Sequence, residues 1–308
     1  MFPVLLTIGN FPISSFGLLL ALGIFLGAFT VWRIARSFDF ESEKVLDLIF
    51  LTLGSGLVFS RLLFVSVNLP VFDSFTKIFF INRYPGLSFW GGLLGGFLAL
   101  LWLSRRSKIR FLQLGDMAIV GLFAASFWAE IGCLLGACGI GIQTTSFFSV
   151  DQVGAIGKRF PIQFFEAIAF LVIFLIFWKR ILRFHVQGTF LAAGLMLLAL
   201  VKFFAGFFKD SAQFVDVSGY PVRVDLVFCV LSFGLGAYYH YRINKKTPIT
   251  DLMIILRFLV TPSKQKALMT KIIRGCYNLK INFRVSLGKG FKKLFKSLNI
   301  RSNPETFK

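Results

Sequence analysis

Charged side chains are scarce in this chain and histidine is nearly absent. Asp, Glu, Lys and Arg make up 16% of 308 residues, and there are two histidines. Soluble domains carry about 25% charged residues, so the composition argues against a water-soluble globule. The two histidines, His185 and His240, fall at the ends of apolar runs, away from the other ionisable candidates. Metal sites and Ser-His-Asp triads are thereby excluded, and no cofactor is expected. Acids are also few, 14 against 34 basic residues. Four cysteines make no disulfide framework here, because Cys229 and Cys276 fall in an apolar span and in the basic tail. Whether Cys133 and Cys138 pair is left open. No Lys or Arg occurs from Met1 to Ser15, so the charged opening of a cleavable signal peptide is missing and the first span is expected to be retained.

Apolar residues dominate instead: 56% are hydrophobic, 17% aromatic, and Phe alone accounts for 41. They form runs long enough to cross a hydrocarbon core of about 30 Å. The pattern predicts an all-α, polytopic transmembrane helical bundle of about seven spans. They run near Phe16 to Arg33, Val45 to Val67, Gly86 to Leu103, Leu112 to Cys138, Pro161 to Trp178, Gly188 to Phe208 and Val222 to Tyr241. The connections after the first, third and fifth spans hold Arg33, Arg36 and Lys44, then Arg105, Arg106, Lys108 and Arg110, then Lys179, Arg180 and Arg183. The other connections are poorer in Lys and Arg. The positive-inside rule puts the N-terminus outside and the C-terminus in the cytoplasm.

The formal charge of +20 lies in short clusters between spans and in the tail, which favours anionic lipid over nucleic acid as partner. Two domains are expected, a transmembrane region over 1–241 and a basic cytoplasmic tail over 242–308. In the tail, Phe291, Leu294, Phe295 and Leu298 repeat at helical spacing opposite Lys289, Lys292, Lys293 and Lys296. That is the pattern of an interfacial helix on an anionic membrane surface. A poorly ordered tail that only fixes orientation is the equal alternative.

An ionisable group at membrane depth costs several kcal/mol unless paired or hydrated, which makes each one a functional candidate. Arg61, Asp116, Glu130, Glu166 and Lys202 qualify, with Asp225 at a span end and Lys209 just beyond Lys202. Arg61, Lys202 and Lys209 together suit one phosphate; a structural pairing of Arg61 or Lys202 with Glu130 or Asp116 is the alternative. The run Leu87 to Gly96 pairs Gly91 with Gly95 and Gly92 with Gly96, the small-xxx-small spacing of close helix packing, or of exposed backbone lining a headgroup cavity.

Taken in order, these blocks resemble the bacterial phosphatidylglycerol–prolipoprotein diacylglyceryl transferase family. Pro12 to Gly23 is similar to that family's opening span, Leu87 to Gly96 to its His-Gly-Gly-Leu block, and Gly132 to Gly141 to its Arg-Ile-Gly block in the Cys-containing variety. Arg159-Phe-Pro-Ile-Gln-Phe-Phe-Glu166 resembles its Arg-His-Pro-x-Gln-Leu-Tyr-Glu segment, and Val201 to Asp210 its Phe-Arg-x-x-x-Glu-x-x-Arg segment. Several positions depart from the pattern: Trp90 replaces the motif His, Glu130 the Arg, Lys202 and Lys209 two arginines, Gly206 an acid, Phe16 a Tyr and Phe160 a His.

The resemblance implies transfer of a diacylglyceryl group from phosphatidylglycerol to the lipobox cysteine of a prolipoprotein, the first step of lipoprotein maturation, in the bacterial cytoplasmic (inner) membrane. It implies Glu130, Lys202 and Lys209 as catalytic. It further implies Arg61, Trp90, Gly91, Gly92, Gly132, Cys133, Gly136, Arg159, Gln163 and Glu166 as substrate-binding. Two other readings stand beside it: an altered or inactive homologue acting as a phospholipid- or lipoprotein-binding membrane scaffold, and, third, a transporter.

Overall fold

The computed structural model describes residues 4–244, except 9–10, 70–71, 73–76, 79–83, 85, 108, 137, 153, 184, 211–213 and 218–219. The chain divides into two units, Met1–Lys245 and Lys246–Lys308. The tail helices expected beyond Asn244 lie outside the described residues.

Seven long helices carry the described part: α1 Ser15–Ser37, α2 Ser42–Val67, α3 Phe89–Ser107, α4 Phe111–Gly136, α5 Ile162–Ile181, α6 Thr189–Gly206 and α7 Val224–Asn244. Each predicted span has its helix. All but α3 are long and apolar enough throughout to cross a membrane. The 19 residues of α3 have an apolar body and end in Arg105, Arg106 and Ser107. Even the shortest, the 18-residue α6, extends about 27 Å at 1.5 Å per residue, close to a hydrocarbon core's thickness. Large apolar side chains such as Phe25, Phe50, Phe204 and Val230 point outward. In water such a surface would aggregate; against lipid tails it is solvated. The chain is a polytopic, multi-pass membrane protein.

With lipid outside, helices associate through close packing of small residues. A Cβ on Gly27 would lie 2.8 Å from the Gly121 carbonyl oxygen, and one on Gly121 would lie 2.8 Å from that of Gly27, so α1 and α4 run backbone against backbone. A Cβ on Gly95 of α3 would lie 2.5 Å from the Ser55 carbonyl oxygen of α2, and Ser55 Oγ donates to the Gly95 carbonyl at 2.9 Å. Gly236 of α7 rests against the Ala192 carbonyl of α6. Phe123 of α4, fully buried, fills the centre against Phe170 and Phe177 of α5. We expect Gly121→Val to force α1 from α4 and sharply lower the yield of monodisperse protein in detergent. A wild-type yield would show that this contact is dispensable.

Helices α1, α3, α5 and α7 begin, and α2, α4 and α6 end, at one end of the bundle, here termed the N-terminal face. Three hairpins gather there: β1 Val4–Ile8 with β2 Phe11–Ser14, β3 Val150–Asp151 with β4 Lys158–Arg159, and β5 Phe214–Val217 with β6 Tyr220–Arg223. Isolated bridges tie Gly141 to Lys209 and Gln143 to Arg159. The opposite face carries Arg36, Arg105, Arg106, Lys179 and Arg180 in the last turns of α1, α3 and α5.

At that opposite face Asp116 has a structural task. Its carboxylate accepts from the backbone N–H of Gly188 at 2.6 Å and of Leu191 at 2.7 Å, capping α6 from α4, and His185 Nε2, expected to lie apart from the ionisable candidates, is 3.5 Å away because the turn before α6 folds back onto α4. Uncapped N–H groups in a buried helix terminus are costly. Asp116→Ala should therefore destabilise the protein by on the order of 3 kcal/mol, two charge-assisted bonds being lost. Thermal unfolding in detergent measures this, and an unchanged midpoint would refute the capping role.

Candidate functional site

Four oppositely charged side chains form a line near the N-terminal face. Glu130 stands on α4 two turns before its end, Glu166 on the first turns of α5, and Lys202 in the last turns of α6, with Lys209 three residues beyond α6. Lys202 Nζ lies 2.6 Å from Glu130 Oε1 and 2.9 Å from Glu166 Oε1, while Lys209 Nζ lies 2.7 Å from Glu166 Oε2. Glu166 is 2% exposed. The sequence Glu130, Lys202, Glu166, Lys209 alternates in sign and sums to zero, which is how a low-dielectric interior tolerates four ions. Lys202 Nζ also sits over the rings of Phe89 and Phe170, at 4.8 and 5.3 Å from their centroids, where the ring quadrupole favours a cation. The Lys209 side chain is 20% exposed, the most of the four.

A polar network adjoins this line, with Gly141 bridged to Lys209. Gln163, 1% exposed, donates through Nε2 to the Cys138 and Gly139 carbonyls, both at 2.8 Å, and its Oε1 accepts from Gln152 Nε2 at 3.2 Å. Gln152 Oε1 in turn accepts from the Gly141 N–H. Cys133 and Cys138 form a disulfide, fixing the end of α4 to the loop that Gln163 holds. Arg159 Nη1 donates to Asp210 Oδ2 at 2.5 Å and to the Gly141 carbonyl at 3.4 Å, while its buried Nε has no partner among the described residues. Glu130, Lys202, Lys209, Glu166, Gln163, Arg159 and Cys133 are thus brought to one locality.

Other candidates have packing neighbours instead. Arg61, buried on α2, donates to the backbone carbonyls of Lys77, Ile78, Tyr84 and Gly86, and so holds the connection that follows its helix. Trp90 is buried, stacked on Phe228 at 5.7 Å between centroids. Gly91 abuts the Phe59 carbonyl of α2, whereas Gly92 has a looser fit, with 3.8 Å from a Cβ built there to Ser60 Cβ. Gly132 and Gly136 admit the backbone and Cβ of Phe16 on α1.

Sequence reasoning missed four participants. Phe89 lies one residue from Trp90 yet carries no charge to mark it. Gln152 is a loop glutamine without periodic context. Asp210 follows Lys209 directly and could have been paired with Arg159 by sign alone. Arg223, ending β6, donates through Nη2 to the Gly206 carbonyl at 2.7 Å. It thereby brings a guanidinium to the glycine between the two lysines of the α6 segment, and the clustering of Arg223 with Asp225 at a span end was a usable signal.

The model of the prolipoprotein diacylglyceryl transferase family matches residues 3–242. The chain belongs to that family. It is similar to the phosphatidylglycerol–prolipoprotein diacylglyceryl transferase of Thermoanaerobacter sp. (strain X514), 31% identical over 131 residues, covering 42% of this chain and 51% of the relative. A Deinococcus radiodurans protein of the same name is 33% identical over 140 residues, 44% of this chain and 41% of the relative. Thus the chain spans about half the length, or less, of these two relatives. The protein named phosphatidylglycerol–prolipoprotein diacylglyceryl transferase 2 in Clostridium perfringens (strain 13 / Type A) is matched more fully. It is 25% identical over 217 residues, 68% of this chain and 84% of the relative.

The geometry shows what the glutamate at position 130 does. Glu130 is the direct partner of the Lys202 cation, so an arginine at this position would set two cations together. The Gly206 carbonyl accepts from Arg223 Nη2, a backbone bond independent of the side chain, so nothing in the structure explains the glycine.

Proposed function

We propose that the chain transfers a diacylglyceryl group from phosphatidylglycerol to the lipobox cysteine of an exported prolipoprotein, with its N-terminal face on the outer side of the bacterial cytoplasmic membrane. The observation that carries this reading is the Glu130–Lys202–Glu166–Lys209 line, set at the family's motif positions and open at Lys209. In the reaction the cysteine sulfur forms a bond to the terminal glyceryl carbon of the lipid. The bond from that carbon to the phosphate oxygen breaks, and glycerol phosphate leaves with the electron pair.

A leaving phosphate needs positive charge close to where its own charge develops. Lys209, the exposed end of the line, and Arg159, whose Nε has no partner among the described residues, supply it. Lys202, bound to two carboxylates, acts mainly as their counterion and fixes Glu130. The thiol, with an ordinary pKa near 8.5, must lose its proton, and Glu130 takes it through the oxygen that Lys202 does not engage. Residues 1–241 hold this machinery, and the basic tail 242–308 rests on the anionic inner surface of the membrane.

The mutual pairing of all four charges favours a second reading, a lipid- or lipoprotein-binding scaffold without catalysis. Complementation separates them. Expressed in a bacterium whose own transferase can be switched off, the chain should restore growth and lipoprotein processing. Failure despite correct membrane insertion, alongside rescue by an intact relative, would favour the scaffold.

A further inference from the structure

The loop between α4 and α5 has an apolar tip that the proposed reaction does not use. Phe147 is 96% and Ile156 is 89% exposed, and Phe148 is largely exposed. Leaving three such side chains in water forgoes the gain of burying them. The loop nevertheless has a defined shape. Thr144 N–H bonds to the Lys158 carbonyl, Ser149 N–H to that of Ser146, Ala155 N–H to that of Gln152, and Gln152 is anchored below by Gly141 and Gln163.

The surroundings of the tip identify what covers it. Phe147 contacts Phe148, Phe148 meets Phe165 edge-on at 6.2 Å, and Phe165 stacks flat on Phe160 at 5.1 Å. Phe164 and Phe165 are exposed side chains of the first turn of α5, a membrane-crossing helix, so they face lipid. Phe147 and Phe148 therefore continue the exposed aromatic surface at the start of α5. Beside Phe147 opens a cavity of about 540 Å³, lined also by Gln143, Thr144, Thr145, Ser146, Ser149 and Lys158. One wall is aromatic, and the rest is hydroxyl, amide and a single ammonium, within the usual size range of small-ligand sites. Such a concavity, next to acyl chains, matches a phosphate-bearing lipid headgroup.

We propose that this loop is a lipid-engaging element. Phe147, Phe148 and Ile156 insert into the leaflet at the N-terminal face, and the cavity beside them holds the headgroup of an anionic phospholipid through Lys158 and the Thr and Ser hydroxyls. Gln152 ties the loop to Gln163, and Gln143 bridges to Arg159, so a lipid captured here sits on the same loop that carries Arg159. The site is a loading position outside the catalytic one and stands whether or not transfer occurs.

The test uses full-length protein in nanodiscs, spin-labelled at position 147 through Phe147→Cys with Cys276→Ser. Cys229 is buried and Cys133 and Cys138 are paired, so none of them competes for label. A matching label at exposed Asp151 is the aqueous control. Collisions with oxygen should exceed those with a water-soluble nickel chelate at 147, with the reverse at 151. Equal nickel access at both positions overturns the insertion. Low access to both reagents at 147, the signature of a protein contact such as a second copy, overturns it as well. For the headgroup, spin-labelled phosphatidylglycerol should show a larger motionally restricted fraction than spin-labelled phosphatidylcholine, and Lys158→Glu should abolish the difference. No lipid preference in the wild type overturns the headgroup site. None of these readouts depends on transfer activity, so their failure is distinct from failure of the transferase reading.

Discussion

Replacing Lys202 by methionine is expected to destabilise the folded protein by roughly 3–5 kcal/mol, the scale for stranding a buried charge partner. The side chain is nearly isosteric along its stem, so packing against Phe89 and Phe170 is largely retained and the loss is electrostatic. Without the ammonium, Glu130 and Glu166 face each other across a space from which water is mostly excluded, and Lys209 alone remains to neutralise Glu166. Thermal unfolding in detergent should show a large fall in midpoint. The second variant Glu130→Gln/Lys202→Met, which removes one charge of each sign, should recover much of it. If Lys202→Met alone unfolds at the wild-type temperature, the ion line is not part of what holds α4, α5 and α6 together.

The second large effect concerns Glu130, where the resemblance puts an arginine. Restoring the motif residue with Glu130→Arg looks conservative from the family's side and is expected to be severely damaging here. It would set a guanidinium where a carboxylate now lies 2.6 Å from Lys202 Nζ. Glu166 would then be the one carboxylate for the new guanidinium, Lys202 and Lys209. Loss comparable to that of Lys202→Met follows, visible as poor membrane accumulation and aggregated material on extraction. Combining Glu130→Arg with Lys202→Met removes the second cation and leaves the guanidinium free to reach Glu166, so part of the folding should return. Glu130→Gln, by contrast, leaves Lys202 with Glu166 and should fold nearly normally, so its effect on transfer reports chemistry rather than stability. A well-folded Glu130→Arg single variant would show that the present pairing is incidental.

Seven spans were legible because a bilayer imposes length and hydropathy on every helix that crosses it, and α1 to α7 each answer one apolar run. The small-residue pairs were legible for the same reason: Gly91 and Gly95 lie against α2 as their four-residue spacing required. At the site, expense guided the reading. Lys202, Glu130 and Glu166 stood out because charge at that depth demands a partner, and they do meet. Arg61 stood out equally, yet its donors are taken up by four backbone carbonyls of a connection whose path no periodicity reveals. The Cys133–Cys138 disulfide and the Gln152–Gln163 bond were out of reach for a related reason. Both depend on how an irregular loop folds back over the end of α4, and loops carry neither the period of a helix nor the cost signal of a buried ion. Arg223 beside Asp225 at a span end was a signal the sequence carried, but topology alone accounts for a basic residue there, so it did not stand out.

The most direct measurement places the purified chain in nanodiscs containing phosphatidylglycerol and presents a lipobox peptide bearing its cysteine. Mass spectrometry of the peptide should reveal a diacylglyceryl thioether, dependent on phosphatidylglycerol and absent when the peptide cysteine is alanine. Lys209→Ala should reduce it by lowering phosphate affinity, and Glu130→Gln should reduce the rate with the fold intact. An unmodified peptide after incubation with the wild-type chain, under conditions in which a relative with the intact His and Arg motifs modifies the same peptide, would contradict the transferase reading.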